Sequence, residues 1–307
     1  MVYSVVIPVY NSEKIVAKTI QAVVSFFETN GLEYQLILVN DNSKDGSWEV
    51  IAGQAEKNKK IVAINLFKNY GQHSAIFHGF KYVKGDYVIT LDDDLQNPPS
   101  EMIHLIKKAA EGYDLVFGKF RQKQHHPVRK LGTKVVGYLN KKIFNKPDDI
   151  TLTNFRIIKR DIIEKVIGFR TGYPYIPGLV LMFASKIANV EVEHHKRAVG
   201  ESNYTVGKIL QLIGRILFNY SSFPLRIASL LGFFIAFLSF IAGFGYIINN
   251  IISGTSVQGW TTLVVLISFL GGFIILMLGM VGEYLVRIMN EQSNRNFIYE
   301  KGRVIHE

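Results

Sequence analysis

The run Tyr87-Val88-Ile89-Thr90-Leu91 leads directly into Asp92-Asp93-Asp94-Leu95-Gln96, three carboxylates and an amide behind a β-prone apolar stretch. If the strand's alternation continues past Leu91, then Asp92, Asp94 and Gln96 face one way. Two carboxylates and an amide oxygen on one side form a hard, oxygen-rich donor set suited to Mg2+ or Mn2+, cations that also take ligands from a substrate's phosphates. A solvated acidic turn capping a helix that starts near Pro98-Pro99 is the plainer account of the same residues. Packed like charges are costly unless a cation offsets them, which favours the metal.

The elements that must position this group follow from the pattern over residues 3–118. Val5–Pro8, Leu36–Val39, Ile61–Asn65, Tyr87–Leu91 and Leu115–Phe117 read as buried strands, and the segments near 13–29, 46–57, 72–83 and 99–111 as helices. Strands alternating with helices predict an α/β, doubly wound, mainly parallel sheet, whose ligands bind beyond the carboxyl ends of the strands. The residues at those ends are Val9-Tyr10-Asn11, Asn40-Asp41-Asn42-Ser43, Asn69-Tyr70-Gly71-Gln72 and the Asp triplet. Each set is rich in polar or carboxylate groups that a purely structural loop does not require.

The rest of the chain has a different character. No charged residue occurs between Arg226 and Glu283, and 227–248 and 261–282 are apolar runs of 22 residues each. At 1.5 Å per residue each run reaches about 33 Å, enough to cross a hydrocarbon core of about 30 Å. Ser253-Gly254-Thr255 and Gln258-Gly259 supply a turn between them, so the sequence predicts a two-helix transmembrane hairpin, with spans of about 227–250 and 261–286. Lys196, Arg197, Lys208, Arg215 and Arg226 precede the hairpin and Arg287, Arg295, Lys301 and Arg303 follow it, while its loop has no basic residue. That asymmetry puts both ends on the cytoplasmic side. In the segment 206–226, Ile209, Leu210, Leu212, Ile213, Ile216 and Leu217 recur at helical spacing with Lys208, Gln211 and Arg215 elsewhere on the wheel, as in an amphipathic helix lying at an interface. The expected organisation is therefore a catalytic domain over 1–205, a juxtamembrane helix over 206–226, the hairpin over 227–287 and a cytoplasmic tail over 288–307.

A net charge of +10 in 307 residues points to anionic partners, lipid headgroups or phosphates, and no nucleic-acid-binding motif accompanies it. Without cysteine there is neither a disulfide framework nor a thiolate metal site. The opening Tyr3-Ser4-Val5-Val6-Ile7-Pro8 reads as a strand and not as a signal peptide. His125-His126 and His194-His195 lack the partner spacing of metal ligands, and His73 reads as a helix-capping residue.

Taken in order, Pro8-Val9-Tyr10-Asn11, Val39-Asn40-Asp41-Asn42-Ser43-Lys44-Asp45-Gly46-Ser47, Asn69-Tyr70-Gly71-Gln72-His73 and Asp92-Asp93-Asp94-Leu95-Gln96-Asn97-Pro98-Pro99 resemble a family 2 glycosyltransferase of the GT-A fold. Arg121, Arg129-Lys130, Phe155-Arg156, the stretch from Arg197 through Ser202 to Tyr204, and the hairpin extend the resemblance to the polyprenyl-phosphate members, over nearly the whole chain. The resemblance implies that Asp41 holds the nucleobase, with Pro8, Tyr10, Asn11 and Asp93, the variable middle position, around the nucleotide. It gives the metal and its diphosphate to Asp92, Asp94 and Gln96, and the acceptor phosphate to Arg121, Arg129, Arg197, Ser202 and Tyr204; a guanidinium fork fits a phosphate. Asp92, Asp94, Gln96 and Arg197 would then carry the chemistry: inverting transfer of a sugar from a nucleotide donor, UDP-linked by expectation, to undecaprenyl phosphate. The setting implied is the cytoplasmic face of a bacterial inner membrane, serving cell-envelope glycans such as lipopolysaccharide, with a homo-oligomer such as a tetramer as the assembly.

Two positions depart from the family pattern. Asn40 stands where the first of two Asp residues is common, and Asn154 where an Asp often precedes Phe-Arg, which removes a candidate general base. A lipid monophosphate is already anionic near neutral pH, its second pKa being about 6, so a base is optional. A processive polysaccharide synthase of the same fold would carry Gln-x-x-Arg-Trp and more spans, yet the only tryptophans are Trp48 and Trp260, neither preceded by Arg. An inactive membrane scaffold would leave the coexistence of Asp92, Asp94 and Gln96 without a purpose.

Overall fold

The computed structural model describes residues 1–120, 127–195, 206–253, 259–292 and 298–306. Four βα repeats open the chain: β1 (Val2–Val9), α1 (Glu13–Thr29), β2 (Glu33–Asn40), α2 (Ser47–Lys57), β3 (Ile61–Leu66), α3 (Gln72–Gly79), β4 (Tyr87–Thr90) and α4 (Met102–Ala110). There follow β5 (Leu115–Phe120), α5 (Pro127–Phe144), β6 (Arg156–Lys159), α6 (Arg160–Gly168), α7 (Ile176–Phe183), β7 (Ile187–Val192), α8 (Val206–Tyr220), α9 (Phe223–Ser253), α10 (Trp260–Gln292) and β8 (Glu300–Val304). One sheet holds all eight strands in the order β7-β5-β6-β4-β1-β2-β3-β8. β1, β2 and β3 are buried almost end to end, as strands covered by helices on both faces must be. α1 supplies one cover, burying Ile15, Val16, Thr19, Ile20, Val23, Phe26 and Phe27 along a single stripe.

The mainly parallel sheet is present, with two strands reversed. β6 runs antiparallel between β4 and β5, so β4 and β5 are not neighbours as their sequence order suggests, and Thr90 lies opposite Arg156. β8 pairs antiparallel with β3, Ala63 opposite Val304 and Ile64 opposite Arg303. The stretch expected to be a tail thus returns to the sheet and covers the edge that β3 would otherwise leave open. The compact unit accordingly comprises Met1–Ile213 together with Asn296–Glu307, against an expected domain of 1–205.

α3 lies close on the sheet because Gly79 permits it: a Cβ there would meet Val6 Cγ1 at 2.7 Å and Val39 Cγ2 at 3.0 Å. That fit sets the height of Gln72, one helix length away, relative to the end of β4.

The second compact unit is Gly214–Arg295. The expected interfacial helix over 206–226 is divided in the structure: α8 ends at Tyr220 and α9 begins at Phe223, with Pro224 in its first turn, where a missing N–H costs nothing. α9 has 31 residues and α10 has 33. A Cβ on Gly232 would meet the Phe273 ring at 2.9 Å, so the two helices approach closely there. Among the described residues alone, no helix is long and apolar enough to cross a membrane. Several positions inside α9 and α10 fall outside that set, and the apolar runs of the sequence lie on these two helices.

Candidate active site

Three loops at the carboxyl ends of β1, β2 and β3 are fastened to one another. Asn11 and Asn42 take positive φ (52° and 55°), a conformation that Asn tolerates better than most residues. Asn11 accepts the Lys44 N–H at 2.9 Å, and Ser43 Oγ accepts the Asn11 N–H at 3.0 Å. The Glu13 N–H donates to Asp45 at 3.1 Å and Glu13 accepts the Gly46 N–H at 3.1 Å.

Asp41 is buried at 3% exposure, and its two oxygens accept the backbone N–H groups of Tyr70 (2.7 Å) and Gly71 (2.8 Å). Burial raises its pKa, against those two hydrogen bonds, which pull it down. The residue expected to hold a nucleobase therefore also shapes the loop leading into α3, where Gly71 takes a φ of 88°. Asn40 Nδ2 donates to Asn65 Oδ1 at 2.9 Å, and its own Oδ1 accepts from the Ser43 N–H and hydroxyl.

The Asp triplet does not continue the strand. β4 ends at Thr90 and Leu95 takes a φ of 56°, so the alternation argument fails and the chain turns through these residues. The Gln96 N–H donates to Asp94 Oδ1 at 3.1 Å, and Gln72, the first residue of α3, donates to Asp92 Oδ1 at 2.5 Å. Asp93 turns toward β1: it accepts the Tyr10 N–H at 3.3 Å and the Ser12 hydroxyl, while its backbone carbonyl accepts the Thr19 hydroxyl at 2.8 Å. Opposite Thr90, the fully buried Arg156 donates from Nε to Thr90 Oγ1 at 3.1 Å, and its Nη1 and Nη2 have no hydrogen-bond partner among the described residues.

The charges explain the proton affinities. Burial, then the neighbouring Asp94 and Asp93 carboxylates, push Asp92 up to about 7, although a hydrogen bond from the Asn154 side chain and the charge of Arg156 pull it down. Burial pushes Asp93 up to about 6, against the hydrogen bonds of Ser12 and Tyr10. Burial brings Arg156 down to about 10, opposed by Asp92 and Tyr175, so it stays cationic at neutral pH. The buried Arg156 charge thus stands beside Asp92, one of three adjacent carboxylates.

Of the expected site residues, Pro8, Tyr10, Asn11, Asp41, Asp92, Asp93, Asp94 and Gln96 converge at these strand ends. Tyr10 leaves its ring 44% exposed beside them. Arg121, Arg197, Ser202 and Tyr204 lie outside the described residues, and of Arg129 only the backbone, within α5, is described. The segment that leads to Arg197 is fastened to the same loop: the His195 N–H donates to the Gln96 carbonyl at 2.8 Å, and the Glu193 N–H to Glu101 at 2.9 Å. His194 stacks on Phe120 with centroids 4.1 Å apart, and His73 meets the Tyr175 ring edge-on. Among the described residues no three His, Cys, Asp or Glu side chains are grouped to hold a metal ion, and the expected donor set has only two carboxylates. Sequence reasoning missed Gln72, Asn154 and Arg156 as direct neighbours of Asp92. The signal for the last two was the Phe155-Arg156 pair, which β6 brings alongside β4.

Residues 4–167 match the family described as Glycosyl transferase family 2. The chain is 35% identical over 295 residues to an undecaprenyl-phosphate 4-deoxy-4-formamido-L-arabinose transferase of Photorhabdus laumondii, covering 95% of this chain and 91% of that one. A transferase of the same description from Shewanella sediminis is 33% identical, covering 99% of this chain and 93% of its own. Among solved structures, glucosyl-3-phosphoglycerate synthase of Mycobacterium tuberculosis, in complex with Mn2+, uridine diphosphate and phosphoglyceric acid, superposes with a TM-score of 0.53 at 16% identity, over 70% of this chain and 75% of that one. Mannosyl-3-phosphoglycerate synthase of Rubrobacter xylanophilus gives 0.52 at 18% identity, over 71% and 72%. At such identities these two structures speak for the GT-A fold alone. With the family match spanning the four βα repeats and the strand-end site, the chain belongs to glycosyl transferase family 2, a glycosyltransferase alongside that family's polyprenyl-phosphate enzymes.

Proposed function

We propose that this glycosyltransferase moves a sugar, with inversion, from a UDP-linked donor to undecaprenyl phosphate at a membrane surface. The carboxylate cluster behind β4 carries the reading: three acids against one buried guanidinium leave about two negative charges uncompensated when ionised, the deficit that one divalent cation fills. The undecaprenyl-phosphate relatives support the acceptor, and the fold shared with an Mn2+- and UDP-bound synthase is compatible with the donor. Mg2+ or Mn2+ held by Asp92, Asp94 and Gln96 would neutralise the charge that develops on the departing nucleoside diphosphate.

The chain's own residues have defined tasks in this reading. Gln72 holds Asp92 through its Oδ1. Asp93 ties the carboxylate loop to Tyr10 and Ser12, so the nucleotide wall and the metal loop keep a fixed spacing. Asn154 gives its side-chain hydrogen bond to Asp92, and an amide cannot accept a proton at neutral pH. The acceptor oxygen consequently attacks as the anion it already is. Its phosphate would be held by Arg121, Arg129, Arg197, Ser202 and Tyr204. A single in-line displacement at the anomeric carbon inverts its configuration.

Membrane insertion of α9 and α10 belongs to the proposal. Phe233 (72% exposed), Leu230 (69%) and Leu278 (65%) are among many large apolar side chains that these helices bury in no protein core, and a bilayer is the surrounding that removes the cost. The basic residues on either side of the two helices, and the lack of any between them, support a cytoplasmic catalytic unit at a bacterial inner membrane.

The test is to incubate membranes containing the enzyme with a panel of labelled nucleotide sugars and follow label into the lipid extract. One UDP-sugar should label a lipid that is acid-labile and undecaprenyl-linked, and a cysteine at Ser256 should react with an impermeant reagent from outside. Absence of lipid label from every donor would overturn the acceptor, and labelling of that cysteine only in opened cells would overturn the orientation.

A further inference from the structure

The end of the chain does more than cover a sheet edge. Edge cover needs only the β3–β8 backbone ladder, whereas the β8 segment also reaches over the edge into the loop that faces the Asp triplet. The Tyr299 carbonyl accepts the Phe67 N–H at 2.8 Å and the Tyr299 N–H donates to the Tyr70 hydroxyl at 3.2 Å. Glu300 Oε1 receives His78 Nε2 of α3 at 2.6 Å and the Tyr82 hydroxyl of the following turn. Phe67 and Tyr70 bracket the path from β3 into α3, and His78 lies in the last turn of α3.

Those contacts close a circuit. Tyr70 and Gly71 present their N–H groups to Asp41, and Gln72, the next residue, donates to Asp92. The loop is thus gripped from one side by Tyr299, from beneath by Asp41, and through α3 by Glu300, and it delivers Gln72 to the carboxylate cluster. Glu300 is also the acceptor that His78 depends on: His78 Nδ1 is buried without a partner among the described residues, so Nε2 makes the imidazole's hydrogen bond. Removing the acceptor leaves both ring nitrogens buried and unpaired, which costs far more than losing an exposed ion pair.

We propose that the segment Tyr299–Glu300 is part of the nucleotide site's framework, with Glu300 a positioning residue that holds α3 and the Asn69–Gln72 loop at the height from which Gln72 reaches Asp92. This rests on the reading of these strand ends as a nucleotide-sugar site. Because β8 follows α10 in the chain, the framework of the donor site is completed only after both long helices have been traversed.

The test uses the full-length enzyme with UDP and Mn2+ as the calorimetric probe, and the transfer assay for KM and kcat. Glu300→Ala should weaken UDP–Mn2+ binding by about five- to tenfold and raise the donor KM by a similar factor. Glu300→Gln, which keeps an acceptor oxygen, should stay within about twofold. Tyr70→Phe, which removes only the hydroxyl facing the Tyr299 N–H, should move the same two quantities in the same direction. His306→Ala is the control for stability alone: His306 Nε2 lies 2.7 Å from the Ala55 carbonyl at the far end of β8, so it should lower the melting temperature and leave UDP–Mn2+ affinity unchanged. Failure of the parent enzyme to bind UDP, with or without metal, would overturn the donor reading and this inference with it. UDP binding in the parent that Glu300→Ala and Tyr70→Phe leave intact, whatever their melting temperatures, would overturn the inference alone.

Discussion

Asp94→Asn is expected to reduce sugar transfer at least a hundredfold, and EDTA to do the same to the unaltered enzyme. The substitution is nearly isosteric and keeps an oxygen for the Gln96 N–H, so the loop should hold its shape. What disappears is one of the three negative charges set against Arg156. Losing a charged metal ligand costs about 3 kcal/mol or more of transition-state stabilisation, and each 1.36 kcal/mol is tenfold in rate. Asp93→Asn is the internal contrast: Asp93 spends its carboxylate on Tyr10 and Ser12, so its loss should loosen the nucleotide wall and cost less than about tenfold. Rates measured at saturating donor with Mn2+ in excess decide it. Full activity of Asp94→Asn, or of the parent in metal-free buffer, would remove the cluster from the chemistry.

The same cluster fixes a pH dependence. Asp92 titrates near 7 and Asp93 near 6 in the folded chain, whereas an unfolded carboxyl titrates near 4. The folded state therefore keeps protons that the unfolded chain releases, and stability from these two groups is full below about pH 4 and is lost as pH rises through 6 to 7. In EDTA the melting temperature should fall by a few degrees between pH 5 and pH 8, less so in Asp92→Asn, which has no proton to lose there. Added Mn2+ should raise the melting temperature more at pH 8 than at pH 5.5, because protons and the cation compete for the same oxygens. Equal Mn2+ increments at both values would contradict the shared site.

What was legible in the sequence, and what was not, divides along physical lines. Period and flanking residues give the four βα repeats, because a strand buried on both faces must be apolar throughout and its covering helix must carry a stripe; Leu36–Val39 and the α1 stripe are examples. The strand-end residues followed, since topology dictates where ligands meet such a sheet. The direction of β6 was not legible: Arg156-Ile157-Ile158-Lys159 has the composition of any short strand, and only tertiary pairing sets it against β4. β8 was hidden for a similar reason. Glu300-Lys301-Gly302-Arg303 looks like solvated tail, and its place comes from backbone pairing with β3 and from a partner for Glu300 that lies 222 residues away in His78. The turn at Leu95 broke the alternation argument, because past Thr90 the backbone leaves the strand and side-chain direction no longer follows from the parity of the sequence.

Arg197→Ala is expected to lower transfer at least tenfold at subsaturating acceptor, while UDP–Mn2+ affinity stays within about twofold of the parent, the guanidinium contributing about 1.5–3 kcal/mol through a charge-assisted contact. The reasoning begins at the last described residue before it. His195 gives its N–H to the Gln96 carbonyl, so the chain that carries Arg197 departs from the carboxylate loop itself. One residue, Lys196, separates that anchor from Arg197, and the nucleotide-facing groups Tyr10, Asn11 and Asp41 belong to β1, β2 and their loops. A guanidinium is suited to the second anion at the site, the lipid phosphate, whose charge must be brought toward a cluster that is itself rich in carboxylate. Without a guanidinium there, like-charge repulsion from Asp92, Asp93 and Asp94 opposes the acceptor's approach, and the penalty appears in the acceptor KM. Arg197→Lys should recover part of the loss, since an ammonium restores the charge but not the planar fork. Raising ionic strength should narrow the gap between parent and Arg197→Ala only slightly, because the contact is made at close range where screening is small. If calorimetry instead showed UDP–Mn2+ affinity collapsing in Arg197→Ala with the acceptor dependence unchanged, the residue would belong to the donor diphosphate, and the acceptor phosphate would have to be held from the α5 side, where Arg129 lies.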